Sequence, residues 1–341
     1  MRRRFINNLN NSFDISNYMT IEAMEDNVEI IMPREVEYGI DGEGWKKYKG
    51  SIIINLGQTA SFKCILPPML NIRFGHIVIN GKCKLCGNCL SLIFGDDIQY
   101  DLTGYTNCFI ELFLNNKGVL SVEPHFLPAT TLEDLCYYDM FSGCTSLTTA
   151  PELPATTLAF ACYEYMFYKC TSLTTAPALP ATKLETNCYD GMFNGCTKLN
   201  YIKMLATDIS AKYCLDGWVS GVASTGTFVK NPEATWDALG TSGVPSGWTV
   251  VNDGEESGGN LITFTLNGIE YQAEEGMTWE EFCNSEYNIN SFHVIEEGGN
   301  SQIWCDGGSH VSASSYVYDV VSKDDLIINN HIYYSVSGEP I

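Results

Sequence analysis

The sequence predicts a mixed, mainly β protein. It reads as an N-terminal β-sandwich, a central solenoid of 26-residue repeats (each a short strand plus a short helix), and a small C-terminal α+β domain. Three observations predict this. Residues 136–154 read CYYDMFSGCTSLTTAPELP, and the phrase returns as CYEYMFYKCTSLTTAPALP at 162–180 and CYDGMFNGCTKLNYIKML at 188–205. A fixed period of this length marks units that bury their apolar edges only by stacking on neighbours. Ahead of the repeats, short β-branched runs alternate with turn residues, as in a sandwich. Behind them the composition turns polar and then strongly acidic.

The chain is 341 residues long, 45% hydrophobic and 12% aromatic, with a net charge of −22. That charge argues against nucleic-acid binding, which needs lysine and arginine to neutralise phosphates. It also argues against docking on anionic lipid. No apolar run reaches the roughly 18 residues of a membrane span, so no membrane insertion is expected. The start, MRRRFINNLNNSFDISNY, is basic but then Asn-rich and lacks the apolar stretch of a secretory signal. The expectation is a short solvated arm over 1–17 and no export by the general route.

From Tyr18 the runs YMTIEAME, NVEIIMP, REVEYGID, GSIIINLG and TASFKCIL predict strands, and 18–71 reads as a β-sandwich-like domain. The solenoid is expected over 72–251. Its element Cys-x-x-x-Φ-Φ (Φ apolar) occurs as CLSLIF at 89–94 and CFIELF at 108–113, then at 136–141, 162–167 and 188–193, and as CLDGWV at 214–219. The first two copies are degenerate, as terminal repeats are. Within a unit, TSLTTAPEL supplies a strand with Leu147 and Leu153 inward and Thr148 and Thr149 outward, and Pro154 ends it. TTLAFACYEYMF supplies a turn and a short helix, with Cys162, Met166 and Phe167 on one face. The Gly- and Trp-rich stretch after Val222 reads as a C-terminal cap. NDGEESGGN at 252–260 reads as a linker, and 261–341 as a small acidic β-rich domain with a hairpin at Asn267-Gly268 and a capping box at Thr278. From Asn252 to Ile341 there are 16 Asp and Glu against one Lys, fifteen of the chain's 22 net negative charges.

Fourteen cysteines suggest disulfides in a small secreted chain. Here Cys136, Cys162, Cys188 and Cys214 recur at one phase of the repeat, and Cys144, Cys170 and Cys196 at another. They are expected to be buried, reduced core ladders. The trio Cys83-x-x-Cys86-x-x-Cys89 has a spacing that suits zinc or an iron–sulfur cluster. No fourth ligand follows, and Cys89 falls in the repeat phase, so no metal is expected. No GxSxG, HExxH, phosphate loop or EF-hand loop is present. Neither a catalytic site nor a cofactor is predicted. Trp45 and Tyr48 read as packing on a hairpin rather than as a sugar platform. The expected binding surface is the concave strand face, with Thr148, Thr149, Thr174, Thr175, Asn200 and Tyr201 outward, a mild surface suited to protein or carbohydrate.

The unit LPATTL…CYxxMFxGCTSLTTAPxLP resembles the BspA-like (Treponema-type) leucine-rich repeats. The likeness covers 122–222 well and 72–121 weakly. This chain departs from the commoner unit by a longer repeat, by Met-Phe where Ala-Phe is usual, and by Ala150 where Ile is usual. The resemblance implies adhesion or protein binding without catalysis. NYMTIEAMEDNVE, TGTFVKNPEATW and ITFTLNGIEYQAEEGMTWEEF resemble segments of proteins from gut bacteria and their phages, some of them tail-fibre or appendage proteins. The implied protein is a phage virion appendage, of tail-fibre or head-fibre type. It would be assembled in the bacterial cytoplasm and displayed on the virion surface. Its partners would be other virion proteins, further copies of itself, and a host surface protein or glycan. The alternative is a bacterial cell-surface adhesin. Both are likenesses of fold and neighbourhood.

Overall fold

The computed structural model describes residues 15–65, 73–236 and 238–254, together with the backbone of the later strands named below. The protein is mainly β. Among the described residues its helices are α1 (Ser91–Phe94) and two single 3-10 turns, Ile15–Asn17 and Pro124–Phe126.

The first strands are β1 (Met19–Ala23), β2 (Val28–Ile31), β3 (Val36–Ile40), β4 (Lys46–Lys47), β5 (Ile52–Ile54), β6 (Thr59–Cys64), β7 (Val78–Asn80), β8 (Cys83–Cys86) and β9 (Val119–Val122). They form two sheets, β4-β3-β6-β1-β8-β9 and β5-β2-β7. The pairings are antiparallel except β8 with β9, which is parallel. This corrects the boundary expected at 71/72. β7 pairs with β2 and β8 with β1, so the early sheets draw on residues beyond 72. Everything up to Asp253 is one compact unit, with one continuous core from Met19 to Trp248.

From β9 onward the chain lies in segments side by side, tied at an offset close to 26 residues. Along one line, isolated parallel bridges join Ser121 to Thr149 and Thr175 to Tyr201. The expected strand in TSLTTAPEL thus shrinks to a bridge, because Pro151 and Pro154 have no N–H to give a ladder. Where Lys203-Met204-Leu205 replaces Pro-Glu-Leu-Pro, a full strand forms. This is β10 (Tyr201–Met204), which pairs parallel with β11 (Thr227–Lys230), and that in turn with β12 (Thr249–Asn252). A second line of parallel bridges joins Asp101 to Thr131, Thr131 to Thr157, and Lys183 to Asp208.

The third line corrects the expected helices. CYYDMF and its copies are chains of four-residue turns. Residues 135, 139 and 143 have positive φ, as do 161, 165 and 169, and 187, 191 and 195. Amides alternate in what they bond. Tyr138, Met140 and Ser142 donate to the carbonyl three residues back, while Tyr137, Asp139, Phe141 and Gly143 donate to Cys162, Glu164, Met166 and Tyr168 of the next segment. A helix would spend every amide within its own segment; here half of them join neighbours. Four residues per turn and 3.6 per turn place Cys162, Met166 and Phe167 inward alike, so the apolar pattern alone does not separate them.

Inside, equivalent aromatics stack. Phe113, Phe141, Phe167 and Phe193 lie 5.5–5.8 Å apart with planes within 7°. Phe109, Tyr137, Tyr163 and Tyr189 lie 5.7–5.9 Å apart. At the far end Trp218 tilts 53° to Phe193, and three indoles donate to backbone carbonyls: Trp218 to Gly243, Trp236 to Ala206 and Trp248 to Ala223. These tryptophans close that end of the core. The linker expected over 252–260 is corrected at its start, since Asn252 belongs to β12 and Asp253 donates to Lys230 and pairs with Lys203 at 2.6 Å; residues 255–260 lie outside the described residues.

Residues 254–341 are a separate unit. β13 (Leu261–Leu266) pairs antiparallel with β14 (Ile269–Glu274), flanking Asn267-Gly268. β15 (Phe292–Glu297), β16 (Asn300–Cys305) and β17 (His310–Ser312) form a second sheet, and β18 (Ile327–Ile328) pairs with β19 (His331–Ile332). The capping box at Thr278 lies outside the described residues.

Candidate recognition face

Parallel pairing in register puts equivalent side chains in files. Along the first line Ser121 pairs with Thr149, and Thr175 pairs with Tyr201, Tyr201 with Thr227 and Thr227 with Thr249; Thr149 and Thr175 share the repeat interval, and every position carries a hydroxyl. Thr148, Thr149, Thr174, Thr175 and Asn200 are exposed and Tyr201 is half-buried. Thr148 is engaged with the backbone, since both its amide and its hydroxyl donate to Leu120 O, at 2.9 and 3.0 Å. Ser121, Thr227 and Thr249 were not anticipated from the sequence. Thr227 follows Tyr201 by the repeat interval, and that signal was available; Thr249 lies only 22 residues on, so the interval could not find it. The second line carries a similar set, with Thr131 half-buried and Thr130, Thr156, Thr157 and Thr182 exposed.

The turn line carries acid instead. Glu164, Asp190 and Asp216 are equivalent positions at 26-residue intervals. Burial, then the charge of Asp190, pushes the Glu164 carboxyl up to about 7, against a hydrogen bond from Asn187 that lowers it. Burial and then Asp216 raise Asp190. Burial is also the main cause raising Asp139, with Glu111 adding to it.

The thiols are core. Cys136, Cys162, Cys188, Cys144, Cys170 and Cys196 are fully buried and Cys214 is 5% exposed. Cys144, Cys170 and Cys196 each donate S–H to a carbonyl of the preceding segment, Phe113, Phe141 and Phe167, at 3.0–3.2 Å. Burial pushes Cys144 and Cys196 up to about 12. Among the described residues every cysteine is free. Cys83 and Cys86 sit three apart on the extended strand β8, so they face opposite sides of the sheet, the first buried and the second half-buried. That geometry divides the trio. No group of three or more His, Cys, Asp or Glu among the described residues is placed to hold a metal ion. Trp45 and Tyr48 are engaged separately. Tyr48 Oη accepts from Met32 N at 2.9 Å, and Trp45 packs edge-on to Tyr18. His125 pairs with Glu152 at 3.2 Å on the surface.

No protein-family model, curated protein or solved structure matches the chain. No helix among the described residues is long and apolar enough to cross a membrane.

Proposed function

We propose that this chain is a non-enzymatic appendage of a phage virion, of tail-fibre or head-fibre type. Its centre would be a leucine-rich-repeat solenoid of the BspA-like kind, joined to an N-terminal β-sandwich. The observation that carries the reading is the file from Ser121 to Thr249. It is a row of small hydroxyls with one tyrosine, on segments tied at offsets of about 22–28 residues. Such a face offers hydrogen bonds and a ring to a host surface protein or glycan without a field of charge, and stacked segments extend it without new design. The remaining surfaces would hold other virion proteins or further copies of the chain. Buried, unpaired thiols suit folding in a reducing cytoplasm, which favours virion assembly. Mass spectrometry of purified particles tests the reading: the protein is expected among the structural components, and consistent absence overturns it.

A second reading, a bacterial cell-surface adhesin, rests on the same repeat. It expects the protein in the envelope fraction, with thiols that survive export unpaired. In either case Tyr201→Ala combined with Thr175→Lys is expected to weaken binding to host cells at least tenfold with the fold intact. Unchanged binding would move recognition to another surface.

A further inference from the structure

Lys63 is the only charged side chain among the buried described residues. It sits on β6, directly opposite Glu37 of β3. Tyr18, just before β1, flanks it on the other side, because Met19 pairs with Phe62. Asp96 reaches it from the turn after α1. The Lys63 Nζ lies 2.7 and 2.9 Å from the two Asp96 oxygens and 3.8 Å from Glu37 Oε2. The Trp45 ring centre is 4.5 Å away and the Tyr18 ring centre 5.8 Å. The Tyr18 hydroxyl donates to Asp96 Oδ1 at 2.7 Å. One amine therefore meets one carboxyl at contact distance, with a second carboxylate beside it and two aromatic rings around it.

We propose that Lys63 and Asp96 are joined by an intramolecular isopeptide bond. The chemistry balances without an oxidant or a cofactor. One proton passes from the Nζ ammonium to Asp96 Oδ2 along the 2.7 Å hydrogen bond. The neutral amine adds to Cγ, and the oxyanion that develops on Oδ1 keeps the Tyr18 hydrogen bond. Glu37 takes a second proton from Nζ and returns it to the Oδ2 hydroxyl, which leaves as water. The Nζ–Cγ bond forms and the Cγ–Oδ2 bond breaks. One cation and one anion become one neutral amide, and the ammonium no longer bears the cost of its burial. Holding both groups in contact supplies the effective concentration that the condensation needs. The Asp96 side chain is 60% exposed on its far side, which gives the water a way out. The hydrogen bond from Lys63 holds the Asp96 carboxyl below the usual carboxylate range, so the ion pair is the starting form and the bond forms slowly after folding.

The test is the intact mass of the full chain, denatured after prolonged incubation in its folded state. Wild type is expected to be lighter than its sequence by one water. Digestion should yield one branched peptide containing Lys63 and Asp96. Lys63→Arg and Asp96→Ala should each restore the full mass, and Glu37→Gln should slow the loss at least tenfold. A wild-type chain of full sequence mass overturns the proposal. So does a deficit that persists in Lys63→Arg, which would mark a succinimide at an Asp-Gly pair such as Asp41-Gly42.

Discussion

Tyr137 stands in a file that begins with Phe109, and the difference between them is one hydroxyl. That hydroxyl is fully buried with no hydrogen-bond partner among the described residues, and burial raises its pKa, with Cys89 and Cys136 adding to the effect. An unmet buried hydroxyl costs about 1–3 kcal/mol of desolvation. Tyr137→Phe is therefore expected to stabilise the fold by about 1 kcal/mol, read as a rise in the urea midpoint; a fall would mean that the hydroxyl has a partner. Gly191 shows the opposite constraint. Its φ is +58°, and a Cβ there would lie 2.1 Å from the Tyr165 ring. Gly191→Ala adds left-handed strain to a clash and is expected to cost about 2–4 kcal/mol. Replacing Tyr165 by alanine in the same chain should recover the clash but not the backbone strain, and calorimetry of the two variants separates them.

The turn line carries a carboxyl whose folded pKa is raised, and its stability therefore depends on pH. Glu164 has a folded pKa of about 7 against an ordinary 4.5. Its folded pKa is raised, so the folded state binds the proton more tightly than the unfolded chain does. Stability contributed by this group is full below about 4.5 and is lost as pH rises to about 7. Glu164→Gln is thus expected to stabilise the protein at pH 8 and to change little near pH 4, because glutamine mimics the protonated form. Thermal melts at the two pH values check it, and equal effects at both would rule it out. The same element marks how far the sequence could be read. The interval, the inward residues and the cysteine files follow from spacing, because stacking forces equivalent positions into line. The turn geometry does not, because Cys162, Met166 and Phe167 suit a helix equally well. Its signature is a left-handed residue every fourth position. Asn107, Asn115, Gly143, Asn187, Gly191 and Gly195 spell it out, but Leu135, Ala161, Tyr165 and Lys169 occupy the same positions and mask it. The hydroxyl file was legible only where its residues sat inside the clean repeats; Thr249 needed the pairing of β11 with β12 to be seen.

At the scale of the whole chain, the acidic end and the closed end do different work. The fifteen net negative charges from Asn252 onward favour solubility. Trp218, Trp236 and Trp248 end the apolar stack, so that Phe193 does not face water. Between Phe109 and that end, each segment touches chiefly its neighbours, through bonds and ring stacks that repeat at about 26 residues. On the proposed solenoid reading, such a stack tolerates loss of a whole unit and not of part of one. Deleting residues 163–188 joins Cys162 to Tyr189 and leaves every file in phase: Tyr137 comes to stack on Tyr189, Phe141 on Phe193, and the Cys144 file loses one member. Deleting only 163–175 puts Ala176 where Tyr163 stood and sets polar positions against the core. The first variant is expected to fold, with a far-UV spectrum like the parent's, a single cooperative transition and a denaturant slope lower by roughly a tenth, in proportion to the surface removed. The second is expected to lose cooperativity and to expose thiols that the parent hides. Thiol titration of both native proteins discriminates them. If both deletions were tolerated alike, the lateral bonds would not be what holds the chain together; if neither folded, the stack would depend on contacts beyond adjacent segments.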